Sequence, residues 1–318
     1  MLGGLLAVPL GAFAQQQGKI WHIGVLFFAS SSSALSQRGM PVFRQRLREL
    51  GYVEGKSIVI DERYAEGNGQ RLTELAREFA ARKVDVIVAS AVAATTAARQ
   101  ATNTIPIVMV HAGNPVGAGL IASLARPGGN VTGTTNLPLG GKQVDLIREL
   151  VPRVAKLAIL ANPTNAGAPS FVASATDAAS KSNISVVVAD VTRIEDFPKA
   201  FATIRSAHPD GLLVLAEPVI GARTAEVIEF AATTRLPAIY DFGDMARRGG
   251  LIAYATLYLE HYALAADYVD KILKGAKPGD LPVQQPARFE LVINRKTAKA
   301  LGLTIPPSLL LRADEVIQ

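Results

Sequence analysis

The chain has no cysteine. This excludes disulfides, thiolate nucleophiles, cysteine-ligated zinc and iron–sulfur clusters, and it excludes a lipid-modified cysteine. Lack of cysteine suits an oxidising compartment. Charge is also sparse: 19% of residues are charged against 49% hydrophobic, the composition of a well-packed globular protein. The net charge of +6 is scattered over the chain. Without a basic run or interleaved aromatics, such a surplus favours solubility and offers no nucleic-acid footprint. No G-x-G-x-x-G follows a strand, and neither a G-x-x-x-x-G-K-[ST] loop nor a G-x-S-x-G elbow occurs. The common dinucleotide, nucleotide and hydrolase sites are therefore missing. The four histidines, His22, His111, His208 and His261, form no close metal-ligand pair. No metal and no cofactor is expected. His208 precedes Pro209 in an expected loop, and His261, on an amphipathic helix, is expected at the surface or at a lobe contact.

The first residues, MLGGLLAVPLGAFAQQQ, are uncharged and mostly apolar, and Ala12-Phe13-Ala14 before Gln15 has the small-x-small pattern of a signal-peptidase site. Residues 1–17 read as a signal peptide and flexible start, cut after Ala14. The bland alternative is a buried or frayed N-terminal segment. The stretch is shorter than the roughly 20 apolar residues that span a bilayer, and no later stretch reads as transmembrane. An exported, soluble product is expected.

Beyond the leader, short runs of Val, Ile and Leu alternate with helical patterns. Strands are predicted at 20–27, 58–63, 84–89, 105–110, 131–134, 157–160, 184–188, 212–215, 238–240, 251–254 and 289–293. Helices are predicted at 41–50, 71–82, 93–101, 116–124, 143–150, 170–180, 198–204, 223–233 and 257–273, with Asn294 capping a short one closed by Gly302. Near-continuous apolar strands indicate a parallel sheet covered by helices. The pattern gives two successive α/β units of roughly five strands each, the first ending near Thr134 and the second beginning near Asn136. The tail suits a chain that passes between two lobes more than once.

Ligands of parallel sheets bind beyond the carboxyl ends of the strands, where helix N-termini offer free N–H groups. In the first unit these positions hold Ser30 and Ser31, either donors to an anion or helix caps, and Ser90 with Ala91. Ser90 either receives a ligand carboxylate or caps the next helix, and the small Ala91 lets a ligand approach the amides. His111 is either a ligand donor or a structural histidine, and Asn114 either lines the cleft or makes the turn before Pro115. Asn136 stands at the junction of the units. In the second unit the candidates are Asn162, Glu217, Tyr240, Asp241 and Tyr254. Glu217 either meets a ligand ammonium or hydroxyl or pairs with an arginine of its own lobe. Tyr240, with Phe242, walls the pocket, Asp241 takes a cationic group, and Tyr254 approaches the hinge. Donors on one lobe and carboxylates on the other suit a zwitterion such as an amino acid.

Several stretches then carry a family likeness: Phe43 to Tyr52 (FRQRLRELGY), Asn114 to Gly117 (NPVG), Leu124 to Gly133 (LARPGGNVTG), Arg248 to Leu251, Ile272 to Pro278 (ILKGAKP), Leu281 to Pro286 (LPVQQP) and the tail from Phe289 to Leu303. Over nearly the whole mature chain the sequence resembles the ABC transporter substrate-binding proteins related to the tryptophan- and tyrosine-binding proteins. The resemblance implies the two-lobed type I periplasmic-binding fold, α/β, with each lobe a parallel sheet sandwiched by helices and three hinge crossings. Its lobes would comprise 18–134 with 257–281, and 135–256 with 282–318. It implies a monomeric periplasmic protein that binds a small solute near Ser90, the 111–114 loop, Glu217 and Tyr240, and delivers it to an inner-membrane permease. The solute would be an amino acid, aromatic ones included, or a small carboxylate. Two positions depart from the family's pattern: Ser90 to Ala93 lacks a proline, and His111 replaces a smaller or apolar residue.

Two other classes fit an α/β chain. A ligand-binding repressor needs an N-terminal helix-turn-helix, where the apolar leader stands. An enzyme acting on a small carboxylate needs an acid/base pair in the cleft, for which His111 and Glu217 are the candidates.

Overall fold

Runs of β-branched and other apolar residues become the strands. In the computed structural model, which describes residues 19–318 apart from Ala166 and Ala216, two sheets form. The expected leader lies outside the described residues. The first sheet contains β1 (Trp21–Phe27), β2 (Ile58–Tyr64), β3 (Val86–Ser90), β4 (Ile107–Ala112) and β5 (Val131–Thr135). They are all parallel, in the order β2-β1-β3-β4-β5. Helices α1 (Ala34–Glu49), α2 (Gly69–Ala81) and α3 (Ala91–Ala101) connect them. Every residue of β3, β4 and β5 is buried, as the continuous apolar runs require.

The second unit runs through α4 (Gly140–Leu150), β6 (Lys156–Ala161), α5 (Ala168–Ser180), β7 (Ser185–Asp190), α6 (Phe197–Ala207) and β8 (Gly211–Val214). It continues through α7 (Pro218–Gly221), α8 (Thr224–Thr233), β9 (Ala238–Tyr240), α9 (Gly243–Arg247) and β10 (Ile252–Thr256). The long helix α10 (Tyr258–Leu273) then returns to the first lobe, where Tyr262, Ala265, Tyr268 and Val269 pack into a core with Ile23, Val25 and Phe43. The tail comprises β11 (Phe289–Asn294), α11 (Arg295–Ala300), α12 (Pro307–Arg312) and β12 (Glu315–Ile317), and rejoins the second lobe. The second sheet is therefore seven-stranded, β12-β11-β10-β9-β8-β6-β7, not the roughly five strands read from sequence, and β11 runs antiparallel to β10.

The chain passes between the lobes at 136–139, at Leu257 and at 285–288. Val283 is still buried in the first lobe, and Gln284 pairs with β5 through Thr135 N–H (3.0 Å). Both lobes are α/β layers with apolar clusters on each sheet face.

Two local expectations change. Residues 116–124 form turns, not a helix. Asn114 Oδ1 accepts the Gly117 N–H (3.1 Å), and Gly119 takes φ +67°, so the chain leaves the helical path within one turn. Helix α1 starts seven residues earlier than its apolar face suggests: Ser33 caps it by accepting the Ser36 N–H (3.3 Å), and Pro41 sits inside it.

Candidate binding cleft

The carboxyl ends of both sheets open on one cleft of ≈ 1090 Å³. This is at the top of the roughly 300–1,000 Å³ range of ligand pockets, so it has room for a metabolite and some water.

The first lobe's wall is built on strain. Ala91, His111 and Asn114 line the cleft with φ of +64°, +45° and +44°. Asparagine visits this region readily, but alanine there costs about 1–2 kcal/mol, and such strain collects at functional sites. At His111 the β4–β5 register shifts between Met109 and Ala112, and the His111 N–H donates to Thr134 Oγ1 (3.0 Å). This bulge turns the His111 ring inward. Its Nε2 shares a hydrogen bond with Ser90 Oγ (3.1 Å), and Ser90 Oγ lies 3.4 Å from Tyr262 OH, which in turn accepts from Tyr258 OH (2.7 Å). Ser90 makes no capping bond to α3. Its hydroxyl belongs to this buried chain, so the free N–H groups at the start of α3 are the anion donors this wall presents. Ser30 and Ser32 face the cleft with their hydroxyls 2.9 Å apart, whereas Ser31 does not line it. Asn136 lines it with Oδ1 buried and unpaired.

Of the two places expected for His261, the structure excludes the surface. The residue is 1% exposed, because α10 lays this face on the first sheet. Its ring meets His111 edge-on at 6.2 Å, and neither ring nitrogen has a partner. Burial pulls its pKa down to about 4. Burial, with the neighbouring His261, pulls His111 down to about 3. Both rings are neutral near pH 7, so His111 offers the cleft a neutral polar group, not a cation.

The second lobe supplies Glu217, 8% exposed, at the start of α7. Its Oε1 accepts the Ile220 N–H (2.7 Å) and its Oε2 accepts from Asn162 Nδ2 (3.0 Å). Asn162 is locked in turn, since its Oδ1 accepts from Thr164 N–H (3.0 Å) and Thr164 Oγ1 (2.7 Å). Among the described residues no Lys, Arg or His pairs with Glu217, so the arginine partner weighed from sequence is not seen. Burial raises the Glu217 pKa against the opposing effect of these bonds. Among the described residues His111 is bonded to Ser90, and Glu217 to Asn162 and Ile220, with no hydrogen bond joining the two.

Of the twelve sequence candidates, Ser30, Ser90, Ala91, His111, Asn114, Asn136, Glu217 and Asp241 line the cleft, and Ser31, Asn162, Tyr240 and Tyr254 do not. Asn162 stands behind Glu217. Tyr240 points the other way along β9 and is 1% exposed in the core with Phe230 and Met245. Tyr254 stacks on Phe289 (5.8 Å) and packs on the opposite face of the sheet. The sequence reading missed Phe171, Arg193, Arg223, Arg248 and Tyr258. Tyr258 had a usable signal, an aromatic residue at the first position after the second crossing. It touches both lobes, meeting His111 at 4.8 Å and Phe242 at 5.7 Å. The three arginines lie on the second lobe, so that wall carries both charge signs. Among the described residues no cluster of His, Asp or Glu is placed to hold a metal, and no helix is long and apolar enough to cross a membrane.

A strained, donor-rich wall thus faces a wall with a buried carboxylate across a two-lobed cleft. Residues 22–317 match the family model of the ABC transporter substrate binding protein. The chain belongs to this family. A tyrosine-binding protein from Clostridioides difficile (strain R20291) is 30% identical over 261 residues, covering 82% of this chain and 75% of that protein. Among solved structures, a conserved domain protein from Vibrio cholerae O1 biovar El Tor superposes with a TM-score of 0.89 at 31% identity, covering 93% of this chain and 99% of that one. An ABC domain in complex with L-Trp from Streptococcus pneumoniae gives a TM-score of 0.89 at 27% identity, covering 94% and 100%. This substrate-binding protein thus shares both its sequence pattern and its two-lobed α/β architecture with them.

Proposed function

We propose that this protein captures an aromatic α-amino acid between its lobes and hands it to the permease of an ABC importer. The observation that carries the reading is Glu217: a buried carboxylate facing the cleft, held in place by Asn162 and the Ile220 amide, with no cationic side chain on it among the described residues. A buried carboxylate held only by neutral donors keeps its charge uncompensated, which is costly, and a ligand ammonium would supply the opposite charge. Asp241 lies beside it on the same wall. Across the cleft, the amides at the start of α3 suit the ligand carboxylate. Phe28, Phe171, Phe242 and Tyr258 line the space between, where a flat ring packs well. The relatives named for tyrosine and solved with L-Trp support the same solute class. On this reading the chain binds without turnover, residues 1–17 are an export leader, and the mature protein works as a soluble monomer in the periplasm.

The test is a thermal-shift titration of refolded, ligand-stripped protein with L-tryptophan, L-tyrosine, aliphatic amino acids and 3-indolepropionic acid, which lacks the amine. Ligand that prefers the folded state raises the melting temperature with concentration. Saturable shifts with L-tryptophan or L-tyrosine, lost in Glu217→Ala, are expected. A shift with 3-indolepropionic acid alone would replace the amino acid by a carboxylate and remove Glu217 from ligand contact.

A further inference from the structure

Two glycines, one from each lobe, touch across the cleft. Gly113 follows β4 and Gly167 precedes α5, and both line the cavity. A Cβ on Gly113 would lie 2.9 Å from Gly167 Cα and 3.4 Å from Gly167 N, while a Cβ on Gly167 would lie 3.4 Å from Gly113 Cα. The Gly113 methyl would meet only backbone, so no flexible side chain can move aside, whereas the Gly167 methyl would also meet Asn165 Oδ1 of its own lobe at 3.4 Å. Neither glycine has a positive φ, and Gly167 is right-handed helical at φ −77°. The usual conformational reason for glycine is therefore absent at both positions. What the structure requires is the missing side chain.

A second contact spans the lobes. Arg38 Nη1 of α1 meets Asp244 Oδ1 of α9 at 3.4 Å, and Asp244 also lines the cavity. This exposed pair holds little by itself. Unlike the glycine contact, it tolerates a change in separation, because a long arginine can follow its partner.

We infer that Gly113 and Gly167 are positioning residues for solute capture: their bare backbones form the stop against which the lobes close, and so set the width of the closed cleft. The inference rests on the capture reading, but the contact can be measured without a ligand. A methyl on Gly113 holds the lobes apart while leaving each lobe intact, since an alanine at ordinary φ leaves a lobe's backbone unstrained. The methyl on Gly167 meets a less severe contact, so the effects are graded, with Gly113→Ala much the stronger.

The absence of native cysteine makes a clean spin-label experiment possible. Cysteines replace the exposed Arg77 on α2 and Ala202 on α6, one per lobe, and the interlobe distance distribution is recorded with and without L-tryptophan. The background protein is expected to show a closed, short-distance population that L-tryptophan increases. Gly113→Ala should deplete that population several-fold and speed ligand release. Gly167→Ala should do so weakly, and Gly69→Ala, whose added methyl meets only open space, not at all. Melting temperatures of the ligand-free variants should stay at or above the background value. A closed population retained in Gly113→Ala overturns the inference, as does a background protein that never populates the short distance. A closed population that responds to Gly113→Ala but not to L-tryptophan supports the stop and counts against the amino-acid reading alone.

Discussion

In the proposed mode of capture Glu217 holds the ligand ammonium, and protonation of this glutamate then sets a pH dependence. Burial raises its pKa above the usual carboxylate value, and only the ionised form holds an ammonium. Binding of an α-amino acid is expected to fail as pH falls through this raised value, at a higher pH than an exposed glutamate would give. For ligand-free protein the sign reverses. A folded-state pKa above the unfolded one contributes stability at low pH that is lost as pH rises through the folded value, so ionising the empty site costs stability that a bound ammonium would restore. The buried histidines act in the opposite sense. His111 and His261 have folded pKa values of about 3 and about 4, below the ordinary 6.5. Unfolded protein therefore binds more protons between these limits, and stability falls as pH drops below about 6.5. His261 alone contributes a loss on the order of 3 kcal/mol when fully titrated. His261→Leu should flatten the slope of melting temperature against pH between 6.5 and 4; an unchanged slope would show that the ring is not the titrating group. Sequence named Glu217 and His111 because both follow strands. It left His261 open between the surface and a lobe contact, and the structure excludes only the surface, since a lone histidine on an amphipathic helix gives no sign of which side meets a sheet. Tyr240 failed for a related reason: in a strand buried on both faces, parity decides between core and cleft, and apolar composition does not encode parity.

Among the elements, the β4–β5 pair matters most, because its bulge aims His111. Gly133 of β5 sits at φ +126° against the Met109 backbone, and a Cβ there would overlap Met109 O and N. Both the conformation and the space require glycine. Gly133→Ala is expected to destabilise the protein by at least about 2 kcal/mol and to weaken ligand binding by displacing His111, as measured by urea unfolding and titration. A variant with wild-type stability would mean that the bulge is not rigid. Helix α11 gives a milder case. Asn294 Oδ1 accepts the Thr297 N–H (3.0 Å) while Nδ2 donates to Ala246 O (3.1 Å), so Asn294→Ala should cost about 1–2 kcal/mol. That cap was legible as an Asn before a short helical pattern, and the buried strands were legible as apolar runs. Residues 116–124 were not, because their apolar spacing imitates a helix while Gly117 and Gly119 favour turns. The edge strand β12 was missed because three residues carry no periodicity.

At the scale of the whole molecule, two sheets with their carboxyl ends turned toward each other make the cleft, and three crossings tie them. The two-lobed plan could be anticipated because the α/β pattern repeats and the tail does not extend it. The interlobe contacts of Gly113, Gly167, Arg38 and Asp244 could not, since nothing local in the sequence reports a partner across a cleft. The Arg38–Asp244 pair predicts a small, salt-sensitive effect: Arg38→Ala should leave stability within about 1 kcal/mol of the parent and hasten ligand release only at low ionic strength, as stopped-flow dissociation would show.

The most direct test is calorimetric titration of L-tryptophan and 3-indolepropionic acid into the parent protein and Glu217→Gln. Losing the partner of a buried charge costs about 3–5 kcal/mol. L-tryptophan should therefore bind the parent at least about a hundredfold more tightly than it binds Glu217→Gln, with little change for the analogue that lacks the amine. Equal affinity of L-tryptophan for parent and variant would contradict an ammonium seated on Glu217.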